Sequence, residues 1–557
     1  MRAKTLILAA ALSTGTLALA APAASTVVYA LPPANNVNFV NPIFPSNLFD
    51  VVNVWASQLM YKPLLWIGKD LQVNYARSIA RSVRTQDGQH YLITLKSKWH
   101  WSDGKPVTAA DVAFELRLFM SISEKNSSRY GNWGVGGIPN AIRAVQVLGP
   151  RELEITLKHP YSPNWFILNG IGQLTPLPKR AWDRYPGHPR KTLAYLQKNG
   201  GNLAFFRASP IDGPYRLVSA LHNAQFVYTA NSSYGGHRPQ FHHFVFRYFT
   251  SSSAEFNALA TGQIQIGYLP FHLYGELPRL QGFRAVFSSS WGITYIYPSL
   301  LNPAAAALKD LAVRQALQMA VDQPAMVKAI YHGQALAQYG PVPYQPPTYV
   351  DPLLAAGEVP YPYDPAAGRA LLERAGWKMV DGVMRKGAQQ LSFTLQYASG
   401  STSTQQVSEL FAAAAAKEGI RIHLEPKPFD ALLGELATPK SWELMFYGNG
   451  WVYNPYPTGY GLFGAGGGSN SEGYASEKAD QLISATHAFT SPAQALKLLY
   501  RYQDYLAKDL PVIYLPEAAG AYTGAVGAIT IASKSIAGFA AQLSPAGALS
   551  PQYWTER

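Results

Sequence analysis

The chain has 557 residues, a formal charge of +13, 14% charged residues and no cysteine. The missing thiol excludes cysteine catalysis, zinc thiolate sites, disulfides and a lipid-anchoring cysteine. The basic residues are scattered singly and form no Lys/Arg block, which argues against a nucleic-acid footprint. A surface poor in carboxylates changes its charge little in acid, so the composition also suits an acidic exterior.

The N-terminus carries Arg2 and Lys4, apolar runs over 6–12 and 17–20 separated by Ser13, Thr14, Gly15 and Thr16, and then small residues. That order is a secretory signal peptide over 1–20, cut after Ala20 or, as a second choice, after Ala23. No later stretch approaches the roughly 20 apolar residues of a membrane helix, so the exported chain is expected to be soluble. At about 150 residues per domain the length allows three to four units.

Residues 26–30 are β-branched and aromatic and predict a strand; 35–46 is polar, punctuated by proline and reads as loop. Apolar residues recur at helical spacing over 51–65, with Pro63 as the stop. Strands are expected over 91–95 and 152–157, and between them Thr108 should cap a helix that carries Asp111 in its first turn. Residues 226–230 and 243–248 predict paired strands around a turn-rich 231–239. Helices (312–320, 366–375, 404–417) then alternate with strands (391–396, 420–424, 444–447), the pattern of an α/β architecture. The glycine-rich stretch 461–473 reads as loop.

Trp101, Ser102, Asp103, Gly104, Lys105, Pro106, Val107, Thr108, Ala109, Ala110, Asp111 and Val112 resemble the signature of extracellular solute-binding family 5, the oligopeptide-, dipeptide- and nickel-binding proteins of ABC transporters. Further matches follow in order. They are Asp212-Gly213-Pro214-Tyr215, the turn at Gly262 with Gln265 where an Asp is usual, Val313-Arg314-Gln315-Ala316, Asp364-Pro365, Gly473-Tyr474, and Asp509-Leu510-Pro511. The resemblance implies a periplasmic-binding-protein-like α/β fold of two lobes around a ligand cleft, with an extra domain inserted in the first lobe. Lobe I would comprise 21–50, 205–288 and 516–557, the extra domain 51–204 and lobe II 289–515. It implies a monomeric, exported, non-enzymatic protein in the periplasm or on the outer face of the cell membrane. That protein would capture short peptides and deliver them to permease subunits of an ABC importer, without nucleic acid or cofactor.

In the family the peptide adds as a strand, and the segments expected to receive it contain Asn35, Asn36 and Asn38 near the N-terminus and Asn449, Gly450, Trp451, Val452, Tyr453 and Asn454 in the second lobe. The second segment is similar to a Gly-Trp-x-x-Asp site whose aspartate pairs with the peptide ammonium, but Asn454 stands there. Two readings stay open: a peptide bound where an aspartate would be protonated, or a ligand without an ammonium. Trp451, Tyr453, Tyr456 and Tyr460 would then stack on a sugar ring or a hydrophobic ligand, unless they are core packing, and the alternative function is a binder of oligosaccharide or another neutral or metal-chelate solute.

Phosphate-loop, His-Glu-x-x-His and Gly-x-Ser-x-Gly patterns are absent. Asp103 and Asp111 read as a turn residue and a helix-start charge rather than a glycosidase pair. His237, His242 and His243 form a local histidine cluster, but His242 and His243 are adjacent on a strand and point to opposite faces, which does not suit one metal. Arg314 reads as a structural partner for a buried carboxylate or backbone carbonyls.

Overall fold

The computed structural model describes residues 26–557 except 32–35, 46–47, 49–50, 124, 127–129, 132–133, 287–290, 437, 447–449, 453, 519–527 and 540–548. The signal peptide expected over 1–20, Asn35, Asn449 and Tyr453 lie outside the described residues. No helix among the described residues is long and apolar enough to cross a membrane.

Three sheets carry the architecture. A seven-stranded sheet runs in the order 283–286, 528–533, 266–270, 26–30, 243–247, 225–230 and 215–221. Its middle strand, Thr26–Ala30, lies parallel to His243–Arg247 and meets Ile266 on its other side. Covered on both faces, such a strand must be apolar throughout, and Val27, Val28, Tyr29 and Ala30 are all buried. The Tyr29 ring packs on Trp55 and Phe246 edge to face and stacks on Trp554, which ties the chain's end into the same core. The hairpin expected around 231–239 forms, with Phe226 opposite Phe246 and Tyr228 opposite Phe244.

A four-stranded sheet in the order 80–84, 90–95, 152–157 and 142–149 holds the signature segment. Here Asp111 acts as a hub. Its carboxyl accepts from the Thr108 N–H and hydroxyl at 2.8 Å each, from the Lys179 N–H at 3.0 Å and from Trp101 Nε1 at 3.4 Å. Thr108 and Asp111 form the reciprocal capping box expected at this helix start, and the Thr108 hydroxyl also donates to the buried carboxyl.

The helix expected to stop at Pro63 spans Val51–Met60 and ends just short of it. Pro63 disfavours helical backbone at Lys62, and the freed groups find partners across the chain: Met60 O accepts from Gly213 N–H and Asp212 Oδ1 from Lys62 N–H, at 2.8 and 2.9 Å. A Cβ at 213 would sit 2.4 Å from Leu59 O, which is why glycine stands in that turn.

The third sheet has the order 421–427, 392–398, 444–446, 292–298 and 450–452, with 513–515 also on 292–298. Strands Ser392–Ala398 and Arg421–Lys427 are parallel and joined by the helix Thr402–Lys417, the crossover that the alternating sequence predicts. The glycine-rich stretch differs from expectation: it opens as one helical turn, Tyr460–Phe463, before becoming loop.

Candidate functional site

The candidate site starts from the strand Gly292–Pro298 of the third sheet. Along one edge it pairs first with Leu444–Phe446 and then with Gly450–Val452, where Gly292 faces Val452, Ile293 faces Trp451 and Thr294 faces Gly450. The parallel strand Ser392–Ala398 covers the outer side of Leu444–Phe446. It reaches no further, so among the described strands Gly450–Val452 is paired on one edge only. No described strand takes its other row of N–H and C=O groups, the arrangement that an added strand needs.

Just beyond this edge, Asn454 is half-buried, and its carbonyl accepts from Trp291 Nε1 at 3.1 Å. Trp291 is fully buried with φ of 52°, a left-handed conformation that a bulky side chain adopts only where its surroundings enforce it. The structure therefore brings Gly450, Trp451, Val452 and Asn454 together along one edge. Nothing in the sequence pattern singles out Trp291, because a buried tryptophan before a strand reads as core.

The N-terminal asparagines are employed differently. Asn36 Nδ2 donates to Asn223 Oδ1 at 2.8 Å and Asn36 Oδ1 accepts from Asn223 N–H at 3.1 Å. Asn38 Oδ1 accepts from Asn53 Nδ2 at 2.8 Å, while Asn53 Oδ1 accepts from the Asn38 N–H at 3.0 Å. Asn36 thus ties the segment to residue 223, and Asn38 ties it to the helix Val51–Met60. No hydrogen bond among the described residues joins either one to the Gly450–Val452 edge.

Of the candidate aromatics, Tyr456 is buried edge-on against Tyr349 and Tyr460 is half exposed. A cavity of about 220 Å³ at the signature is lined by Trp101, Lys105, Asp111, Arg180 and Pro210, and holds no residue of the open edge. Among the described residues no cluster of His, Asp and Glu could hold a metal. His237 stacks on Tyr553 instead.

The model of the bacterial extracellular solute-binding proteins, family 5, matches residues 74–471. The chain belongs to this family. Protein XP55 of Streptomyces lividans is 28% identical over 382 residues, 68% of this chain and 64% of that relative, so the match spans somewhat less than two thirds of its length. The oligopeptide-binding protein AppA of Bacillus subtilis is 24% identical over 80% of this chain and 79% of that protein. The structure of AppA in complex with a nonapeptide superposes with a TM-score of 0.73 at 22% identity, covering 96% of this chain and 99% of that one. The likeness supports the two-lobed α/β fold that the sequence implied.

Proposed function

We propose that the chain is the exported capture component of an ABC importer, non-catalytic, which closes its two lobes on a short extended peptide and presents it to a membrane permease. The observation that carries this reading is the singly paired strand Gly450–Val452 inside the second-lobe sheet. Main-chain pairing along such an edge holds a peptide regardless of its sequence. The family membership and the oligopeptide-binding relative support the same ligand class. The low carboxylate content and the buried acids described below favour an acidic medium outside the membrane.

The neutral Asn454 favours a second reading, a ligand without an ammonium group. Exchanging Asn454 for Asp tests it by calorimetry at pH 7. A charge-assisted bond is roughly twice as strong as a neutral one, so a peptide with a free N-terminus should bind about tenfold more tightly to the variant. Its N-acetylated counterpart should not change. Equal affinity of wild type and variant for the free peptide would favour the neutral or chelate ligand. Mass spectrometry of whatever survives native purification would then identify it.

A further inference from the structure

Several contacts tie the 51–204 segment to the second lobe, and one of them grips the chain just past the open edge. Asn169, 3% exposed, stands on the π-helical turn Phe166–Gly170. Its Nδ2 donates to Tyr456 O and its Oδ1 accepts from Tyr456 N–H, both at 2.8 Å. A carboxamide offers donor and acceptor in one plane, so it pairs with a peptide group as a neighbouring strand would. Beside it, Ser162 N–H donates to His487 O at 2.8 Å, Tyr161 and Ala488 form an antiparallel bridge, and the Trp165 ring stacks on His487 at 4.4 Å.

The Asn169 turn is braced before it meets Tyr456. Gln173 Nε2 donates to Asn169 O at 3.1 Å and to Val135 O at 2.8 Å. Gly136, at φ of 54°, lies so close that a Cβ there would come within 2.2 Å of the Asn169 backbone. π-Turns of this kind concentrate at functional positions.

We infer that this contact is a latch: Asn169 is a positioning residue that holds the lobes closed and, through Tyr456, fixes the strand that offers the ligand edge. The inference rests on the two-lobed capture reading above. Among the described residues, Asn454 O is held from within its own lobe by Trp291, and Tyr456 N–H is held from across the cleft by Asn169. Closing and edge formation are therefore coupled, and every contact of the latch adds to affinity by favouring the closed population.

The chain has no cysteine, so a single engineered pair reports the latch without background. Bridge partners lie about 4.5–5.5 Å apart at Cα, inside the range of roughly 4.4–6.8 Å that a disulfide spans. The variant carrying Tyr161→Cys and Ala488→Cys should therefore cross-link on oxidation of the full chain with no peptide added, read as loss of two free thiols by mass spectrometry. Adding Asn169→Ala should slow the cross-link at least tenfold while the thermal midpoint of the reduced protein stays in place. Should that variant fold poorly, Asn169→Asp keeps the volume and the Oδ1 acceptor, loses the donor and should slow the reaction likewise. Thiols that stay free, or cross-linking at an unchanged rate in a folded Asn169 variant, would overturn the latch. Because no peptide enters the assay, these outcomes are independent of whether the ligand assignment holds.

Discussion

The thermal midpoint of this protein should be about 10 °C higher at pH 4–5 than at pH 9, the reverse of a fold held by buried ion pairs. Among the described residues, Glu115, Asp212, Glu255, Glu418 and Glu472 are buried carboxyl groups with at least one oxygen lacking a hydrogen-bond partner. None of them has a basic nitrogen within ion-pair distance among the described residues. Burial without compensation penalises the charged form, so their pKa values rise: Glu255 and Asp212 to about 8, Glu418 to about 9, and Glu115 and Glu472 well above the usual range. Below about pH 4 these groups are neutral in both the folded and the unfolded chain, and the fold bears no penalty. As pH rises, the unfolded chain releases its protons first, and the stability is lost progressively as pH climbs through the folded values of 8 to 9. His487 and Lys62 act the other way, since burial lowers them to about 4 and about 7, and Lys96 is lowered as well, but these bases are outnumbered by the acids.

Glu418 gives this prediction a single-residue form. It follows the helix Thr402–Lys417, whose terminal carbonyls carry negative charge, and Asp364 adds to the repulsion. Both of its oxygens lack a partner, and Gly368 leaves just enough room for them. Glu418→Gln keeps the shape and removes the charge. It should leave the midpoint unchanged at pH 4 and raise it by about 4 °C at pH 9, equivalent to roughly 1–2 kcal/mol. A midpoint that instead rises steadily from pH 4 to pH 9, with no gain from Glu418→Gln, would remove both this account and the acid-medium reading.

What the sequence disclosed depended on whether a pattern was local. A β-branched and aromatic run located the strand Thr26–Ala30, the alternation of helical and strand segments located helices such as Leu311–Met319, and the ordered motifs implied the two-lobed α/β class. The end of the helix Val51–Met60 was placed slightly late because its stop is set jointly by Pro63 and by Asp212 and Gly213, far along the chain. The Thr108 cap was read from local pattern, but its wider network was not. The sequence shows a hydroxyl before a helix, but not that Asp111 is buried and also serves Trp101 and Lys179. At the site, Gly450, Trp451, Val452 and Asn454 were legible through a motif. Asn169 and Trp291 were not, since each gains its role from a backbone group it meets only after folding: Tyr456 for one, Asn454 for the other.

Replacing Arg314 should cost about 3–5 kcal/mol, enough to lower the thermal midpoint by roughly 10 °C or to prevent soluble expression. The guanidinium is buried at the start of the second-lobe helix Leu311–Met319 and donates to four carbonyls: Leu308 at 2.9 Å, Lys309 at 3.0 Å, Asp509 at 3.0 Å and Leu510 at 2.9 Å. The last two end the helix Pro492–Asp509, where carbonyls lack intrahelical partners and the dipole is negative. Leu510 adopts φ of 49°, a turn for which glycine is the ordinary choice, so this helix end is strained as well as polar. One planar fork thus satisfies both chain segments and directs residues 511–512 into the strand Ile513–Leu515 beside Gly292–Pro298. An ammonium cannot reach all four acceptors in that geometry, so Arg314→Lys should recover only part of the loss and Arg314→Met almost none. Thermal and urea unfolding of the full chain measure the effect. A folded Arg314→Met protein with a wild-type midpoint would show that the four carbonyls are satisfied without the guanidinium and that the helix end needs no cation.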